Sequence, residues 1–536
     1  MYFDAVYQSM IVPALYCLIV LITLSLWLIP WKKIMPAFPR VSKTTWALFI
    51  IILLLGSVLC FLVFPHYHMM YIDEPWYMEA AKNIQASGKP VICDYRLDLG
   101  VECHTLPKPI GWPFLLSIVL HLPFFKTQWL FFATAALGSL LIASIFILTL
   151  LIFRSHVIAL SSSFLMAINP LFVQWSLSLE SNTAAVFFFI LAQIFFLLWI
   201  KIKNAYVLAA ALLLFIFTVT IRYEFILLLL LFVMMYLIFL KKPNHLSISL
   251  RNYFSLILVG SMALVSIVTY VAGNHFRGYF SDRYWDYVFL NFFPFLDAVT
   301  FHFVLAIPAA YFFIRENDSR IRNALFACIL LSFWLYIPFA SESRMALVPL
   351  IFMLIASAAG TTYFFRDINA KLKVRRSILI FIFLFVYAAI FSLGLYFVHT
   401  LPQDEYRLKF LETQSAYYIA DYFKENCTII AEWPTIILSS SGLASVNTNE
   451  AIILHKQLAD SLESGQCYYY YEDMYCQDED FPIIPYSRQK CELTHKLFQM
   501  ETYWEFNHAN ISYRLLNISG LRNVSNSINL NNRLID

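Results

Sequence analysis

Two adjacent carboxylates, Asp73 and Glu74, open the most unusual stretch of the chain, HYHMMYIDEPWYMEAAKNIQASGKPVICDYRLDLGVECHTLPKPIGW, which starts at His66. An acid held beside an apolar segment is suited to take a proton from a hydroxyl, or to contact a metal or an acceptor. It is equally suited to cap a helix. Pro75 fits a first helical turn, Tyr77, Ala81 and Ile84 share one face, and Asp73 falls near the N-cap. Lys108 precedes Pro109, where the chain turns apolar again. A lysine there either snorkels to the interface or holds a phosphate at headgroup level. Glu180 lies in a serine-rich break, SLSLESNT. Arg222 and Glu224 stand between two apolar runs with no real loop, as do Glu342 and Arg344 in SESRMALVP. Ionisable groups this close to a membrane are functional candidates, although paired Arg–Glu helix ends give the same pattern. His66, His68 and His104 read as ligands or as interfacial histidines. Taken together, carboxylates, a lysine and arginines on one side of one membrane can displace a lipid-linked phosphate with an acceptor hydroxyl. The base removes the proton and the cations stabilise the departing phosphate.

The elements that must position these groups are apolar helices. The chain has 536 residues, of which 60% are hydrophobic and 13% charged, with a mean hydropathy of +0.69. Charged residues usually make up about a quarter of a soluble domain. Only 13 residues are glycine. These values exclude a soluble enzyme, a disordered chain and a fibrous protein, and they argue against a transporter built on glycine-rich broken helices. Long apolar runs, rather than roughly 10-residue alternation, argue against an outer-membrane barrel. The runs fall at 9–30, 46–65, 110–124, 128–153, 157–175, 183–200, 205–221, 225–240, 253–271, 299–314, 323–339, 345–365 and 377–398. About 20 residues cross a bilayer core, so the expectation is an all-α polytopic bundle of about 12–13 segments over residues 1–398.

Charge divides the chain. Residues 1–398 hold 27 Lys and Arg against 16 Asp and Glu, and residues 399–536 hold 10 against 18, so +11 and −8 sum to +3. Neither part carries the basic stripe of a nucleic-acid binder. Eighteen of the 27 bases fall in clusters from Lys32 to Arg376 that mark inside loops. The 66–109 loop and the tail from 399 are then outside. Three runs separate that loop from Glu180, and three full crossings would put Glu180 inside; a re-entrant run 110–124, or one that forms part of a hairpin, restores the parity. Residues 1–30 lack a signal-peptide pattern, since the bases follow the apolar run. Cys17, Cys60 and Cys328 sit in apolar runs, whereas Cys93, Cys103, Cys427, Cys467, Cys476 and Cys491 all fall outside. Six such cysteines fit disulfides in an oxidising compartment. Cys93–Cys103 is the expected local pair, the tail four allow three pairings, and their spacings match no zinc finger. The tail reads as a small α/β domain, with a helix over 416–425 and strands at Thr428–Glu432 and Thr435–Leu438. Sequons occur at Asn426, Asn510, Asn517 and Asn523, and an aromatic stretch at Tyr284–Phe295 reads as an interfacial belt or a lipid groove.

Asp73–Glu74–Tyr77–Glu79, then Ala86–Gly88 (ASG), Lys108–Ile110 (KPI) and Leu179–Glu180 resemble the GT-C glycosyltransferases that use polyprenyl-phosphate sugars, above all the protein mannosyltransferase and lipid A aminoarabinose transferase superfamily. The resemblance covers about residues 46–200, loosens to general layout (TIRYEF, SESRMALVPL) over 201–398 and leaves out the tail. It implies a GT-C fold and a polyprenyl-phosphate-linked sugar donor. It also implies transfer to an extracytoplasmic protein, lipid or glycan hydroxyl. Asp73 falls on the catalytic carboxylate, and Glu74 and Glu180 are taken with it as catalytic candidates. Lys108 falls on the lysine facing the donor phosphate, Glu180 on an acid of the same cavity, and Tyr77 on a tyrosine near the donor. Arg222, Glu342 and Arg344 are added as substrate-binding candidates. Trp76 and Pro107 replace the Arg and Glu of the aminoarabinose enzymes, so that donor and a metal site using that Glu are not implied. A divalent metal is compatible with the sequence and not required by it. The alternatives are an oligosaccharyl transferase using a pyrophosphate-linked glycan, and a transporter or flippase. A carrier would place its charges near the midplane, and here most lie at the ends of apolar runs.

Overall fold

The computed structural model describes residues 2–63, 65–68, 73–96, 100–123, 126–239, 303–336, 347–372, 378, 381, 385–389, 391–392, 403–423, 427–441, 443–473, 476, 487–508 and 511–522. Glu342, Arg344, the aromatic stretch 284–295, the apolar run 253–271 and the sequons Asn426, Asn510 and Asn523 lie outside them.

Among the described residues, five helices are long and apolar enough to cross a membrane: Met10–Trp27, Lys43–Val63, Thr127–Phe153, Asn182–Ile202 and Leu347–Ala370. Their starts follow local chemistry. Ser42 accepts from the Thr45 N–H at 3.1 Å, and at the shorter apolar helix Ala205–Ile221 Asn204 accepts from the Tyr206 N–H at 3.0 Å. Leu148, Leu165, Phe189 and Ile355 lie in one continuous apolar core spanning these helices. At Gly360 a Cβ would overlap the Pro308 carbonyl, so helix Leu347–Leu372 packs backbone to backbone on Phe303–Arg315. Two apolar runs do not form straight spans. The run 110–124 yields only Gly111–Leu120, and 157–175 yields His156–Ala167 and Pro170–Ser176, bent by 60°. Pro170 occupies the first turn of the second piece, and Asn169 caps it by accepting from the Phe172 N–H at 3.0 Å, so the chain breaks and restarts there.

The 66–109 stretch folds as helix α1 (Asp73–Ser87) and the hairpin β1 (Val91–Arg96) with β2 (Gly100–Thr105). The expected face of α1 is buried: Tyr77, Ala81 and Ile84 are all at most 3% exposed. Cys93 pairs with Cys103 in register and forms the expected disulfide.

The tail is built from α2 (Gln403–Tyr422), β3 (Thr428–Ala431), α3 (Pro434–Ser441), β4 (Ser445–Asn447), β5 (Tyr468–Glu472), α4 (Ser487–Leu497), β6 (Phe498–His508) and β7 (Ile511–Leu521), with short helices Thr448–Ile453 and His455–Glu463. Its sheet order is β4-β3-β5-β7-β6. β3 runs parallel to β4 and β5, and β7 runs antiparallel to β5 and β6. Alternate residues feed two cores. Ile429, Ala431, Tyr469 and Tyr471 face one with Ile419 and Ile436, while Ile430, Tyr468 and Tyr470 face the other with Ile452 and Leu458. The remaining disulfides are Cys427–Cys467 and Cys476–Cys491, one of the three possible tail pairings. One expectation is corrected: Thr435–Leu438 is not a strand but lies within α3, because Pro434 opens a helix there and Ile436 and Ile437 bury together on the sheet.

Glu432 follows β3 and is buried, and burial raises its carboxyl to about 7 despite Lys490. The folded state therefore holds the proton where the unfolded chain, at 4.5, has released it. Stability is full below the unfolded value and falls as pH rises through the window up to about 7. Glu432→Gln is expected to raise the melting temperature of the full chain relative to the parent at pH 8 and to gain little at pH 5. Thermal scans of both proteins at both pH values check this.

Candidate active site

Asp73 is the first residue of α1, and its Oδ1 meets Lys108 Nζ at 2.9 Å. The pair is partly open, at 15% and 24% exposure. The structure thus joins the first-loop acid to the lysine of the KP pair, 35 residues on. Glu74, its neighbour in sequence, lies in different surroundings. It is fully buried, its Oε1 accepts the Leu179 N–H at 2.7 Å, and its Oε2 lies 3.3 Å from His68 Nδ1. One turn along, Tyr77 is buried among Asp73, Glu180 and Arg222, with the Ser181 hydroxyl beside its phenol. Burial, and then the two carboxylates, push its phenol pKa well above that of a free phenol, so Tyr77 stays a neutral donor.

Glu180 is fully buried, and its charge acts on both Tyr77 and Arg222. Arg222 ends helix Ala205–Ile221, donating from Nη1 to Asn182 Oδ1 at 2.6 Å and from Nη2 to Glu224 Oε1 at 2.9 Å. Two residues outside the sequence-based selection, Ser181 and Asn182, therefore belong to the cluster. Their signal was their place beside Glu180 at the start of helix Asn182–Ile202. Asp73, Tyr77, Lys108, Glu180 and Arg222 come together, while Glu342 and Arg344 lie outside the described residues. His68 belongs with Glu74, His66 Nδ1 lies 3.2 Å from the Leu177 carbonyl, and no cluster of three metal-ligand side chains occurs among the described residues.

The scaffold around the cluster is tight. Trp112 Nε1 donates to the Leu179 carbonyl at 2.7 Å, so Leu179 is held from both sides of its peptide. The Glu79 carboxylate accepts the Cys93 N–H and ties the hairpin to α1. Chemically, the site offers a partly open carboxylate paired with an amine, a neutral phenol, a buried acid and a buried guanidinium.

No family model and no curated protein matches the sequence. Solved structures do. The chain is similar to ArnT from Cupriavidus metallidurans in the apo state, with a TM-score of 0.56 at 14% identity over 89% of this chain and 98% of that one. It is also similar to the same protein bound to undecaprenyl phosphate, with a TM-score of 0.52 at 12% identity over the same shares. The apo oligosaccharyltransferase of Archaeoglobus fulgidus gives a TM-score of 0.50 at 14% identity over 91% and 75%. These likenesses establish the fold, an integral-membrane GT-C bundle with a small C-terminal sheet region.

Gly111 sits where helix Gly111–Leu120 crosses the end of the helix bearing Arg222. A Cβ there would stand 2.5 Å from Thr220 Oγ1 and 2.7 Å from the Thr220 carbonyl oxygen. Because backbone is in the way, Gly111→Ala is expected to destabilise the protein by about 1–3 kcal/mol, and Thr220→Ala should not restore it. Melting temperatures of the single and double variants check this.

Proposed function

We propose that this protein transfers a sugar from a polyprenyl-phosphate donor to an extracytoplasmic hydroxyl of a protein, lipid or glycan, with inversion. The observation that carries the reading is the Asp73–Lys108 pair at 2.9 Å, set beside Tyr77, Glu180 and Arg222 within a GT-C fold. A neighbour of that fold binds undecaprenyl phosphate, which supports a lipid-phosphate donor here.

In this reading the donor phosphate draws Lys108 away from Asp73 and leaves the carboxylate free to act as base. The acceptor O–H gives its proton to Asp73 while its oxygen attacks the anomeric carbon from the face opposite the phosphate. The carbon–phosphate oxygen bond breaks, and its electron pair stays on the phosphate, held by Lys108 and Arg222. Tyr77 donates to the sugar or phosphate, and Glu180 fixes Arg222 and Tyr77. Glu74 keeps the neighbouring Asp73 in place, and Glu342 and Arg344 join the substrate-binding set. Residues 66–109 form the catalytic loop of a transmembrane domain at 1–398, and 399–536 form a soluble domain on the same side.

Asp73→Asn in purified protein given a polyprenyl-phosphate sugar should lower transfer by about 10²–10⁴-fold with donor affinity kept, and undiminished transfer would overturn the base assignment. Lys108→Met should lower kcat by about 10²–10³-fold and weaken polyprenyl-phosphate binding, which Asp73→Asn should not. Transfer supported only by a pyrophosphate-linked glycan would replace this donor with that of an oligosaccharyl transferase.

A further inference from the structure

Helix α2 of the tail belongs to two cores at once. Leu411, Ala416 and Ile419 pack into the tail sheet, while Phe410 and Tyr417 pack against the membrane bundle. Thr413, on the turn between them, takes the backbone N–H of His68 on its Oγ1 at 2.9 Å. The His68 ring lies over Tyr417, with centroids 6.5 Å apart, and its Nδ1 faces Glu74 Oε2 at 3.3 Å. The other oxygen of Glu74 holds the N–H of Leu179, the residue before Glu180. Further along α1, the Lys82 ammonium donates to the Ser439 carbonyl of α3. The tail thus grips α1 at two places, one of them beside Asp73.

We infer that His68 and Glu74 are positioning residues through which the C-terminal domain holds Asp73 and Glu180 in register, so that the tail is part of the transfer machinery rather than an appended module. The inference rests on the proposed transfer reaction for its kinetic consequence, and on contacts alone for its structural one. Three segments meet at one buried carboxylate, the stretch with His68, the start of α1 and the break before Asn182, and α2 holds the first of them through Thr413. A buried carboxylate and a buried imidazole keep that geometry only while each has its partners. Loosening α2 therefore releases the first turn of α1. The chemistry should suffer before donor binding does, because Lys108 and Arg222 are anchored by other elements.

The test uses the full chain in detergent with Thr413→Val, Thr413→Ser and Glu74→Gln, following backbone hydrogen exchange and transfer kinetics. Thr413→Val should speed exchange over residues 73–77 and 178–180 by about five- to tenfold, and lower kcat at least as much, with KM for the donor within about twofold. Thr413→Ser keeps the hydroxyl and should restore both readings. Glu74→Gln keeps an acceptor for Leu179 but loses the charge facing His68, and should show the same pattern as Thr413→Val. Unchanged exchange over 73–77 in both Thr413→Val and Glu74→Gln overturns the inference. So does an equal rise in the remote helix Leu347–Leu372, which would mean general loosening. If exchange responds as stated while the parent transfers no sugar from any polyprenyl phosphate, the coupling stands and the reaction assigned to it falls.

Discussion

A carboxylate with no access to water must be met by donors, and Glu74 is such a group. Its Oε1 accepts the Leu179 N–H and its Oε2 lies 3.3 Å from the ring of His68, whose backbone N–H is held by the tail through Thr413. Removing one member of such a set leaves the others buried without partners, a larger loss than the bond itself. That asymmetry makes the junction rigid. Two acids of the candidate site lie within one residue of it, since Asp73 precedes Glu74 and Glu180 follows Leu179.

Around that junction the charges alternate in sign. Asp73 is paired with Lys108, Arg222 with Glu224, and the charge of Glu180 acts on Arg222 and on the neutral phenol of Tyr77. Such an arrangement is compatible with burial, since each charge is offset close by. Lys108 is the most open cation of the set, more exposed than Arg222, so an anionic ligand entering there competes for the lysine first.

The sequence made the apolar scaffold, the helix from Asp73 and the local disulfide legible, because each depends on short-range pattern: periodicity, a proline in the first turn, a ten-residue cysteine spacing. It also singled out Asp73, Tyr77, Lys108, Glu180 and Arg222, by residue type at the ends of apolar runs and, for all but Arg222, by family resemblance. It did not show which of them touch. The Glu74–Leu179 contact spans 105 residues and the His68–Thr413 contact 345, separations on which no local rule acts. His68 read as an interfacial histidine for that reason. The tail strand expected at Thr435–Leu438 failed for another: an apolar tetrapeptide suits a buried strand and a buried helix alike, and Pro434 decided for the helix. The charge division between the two parts is real, yet it concealed that α2 serves both cores.

The contacts also resolve a count of crossings that loop charges leave inconsistent. Three apolar runs separate Asp73 from Glu180, and three full crossings would place them on opposite faces. Yet Leu179 N–H lies 2.7 Å from Glu74, so the two acids share a face. Helix Gly111–Leu120 has ten residues and is about 15 Å long, half of a bilayer core of about 30 Å. It is too short to span such a core as a straight helix, whereas Thr127–Phe153 is long enough to do so. A half-length helix and a broken one each end in backbone groups that a continuous span would satisfy internally. Just beyond the broken helix, the side chains of Trp112 and Glu74 take the carbonyl and the N–H of Leu179. The irregularity that complicates a simple topology count is therefore also what brings these polar groups together.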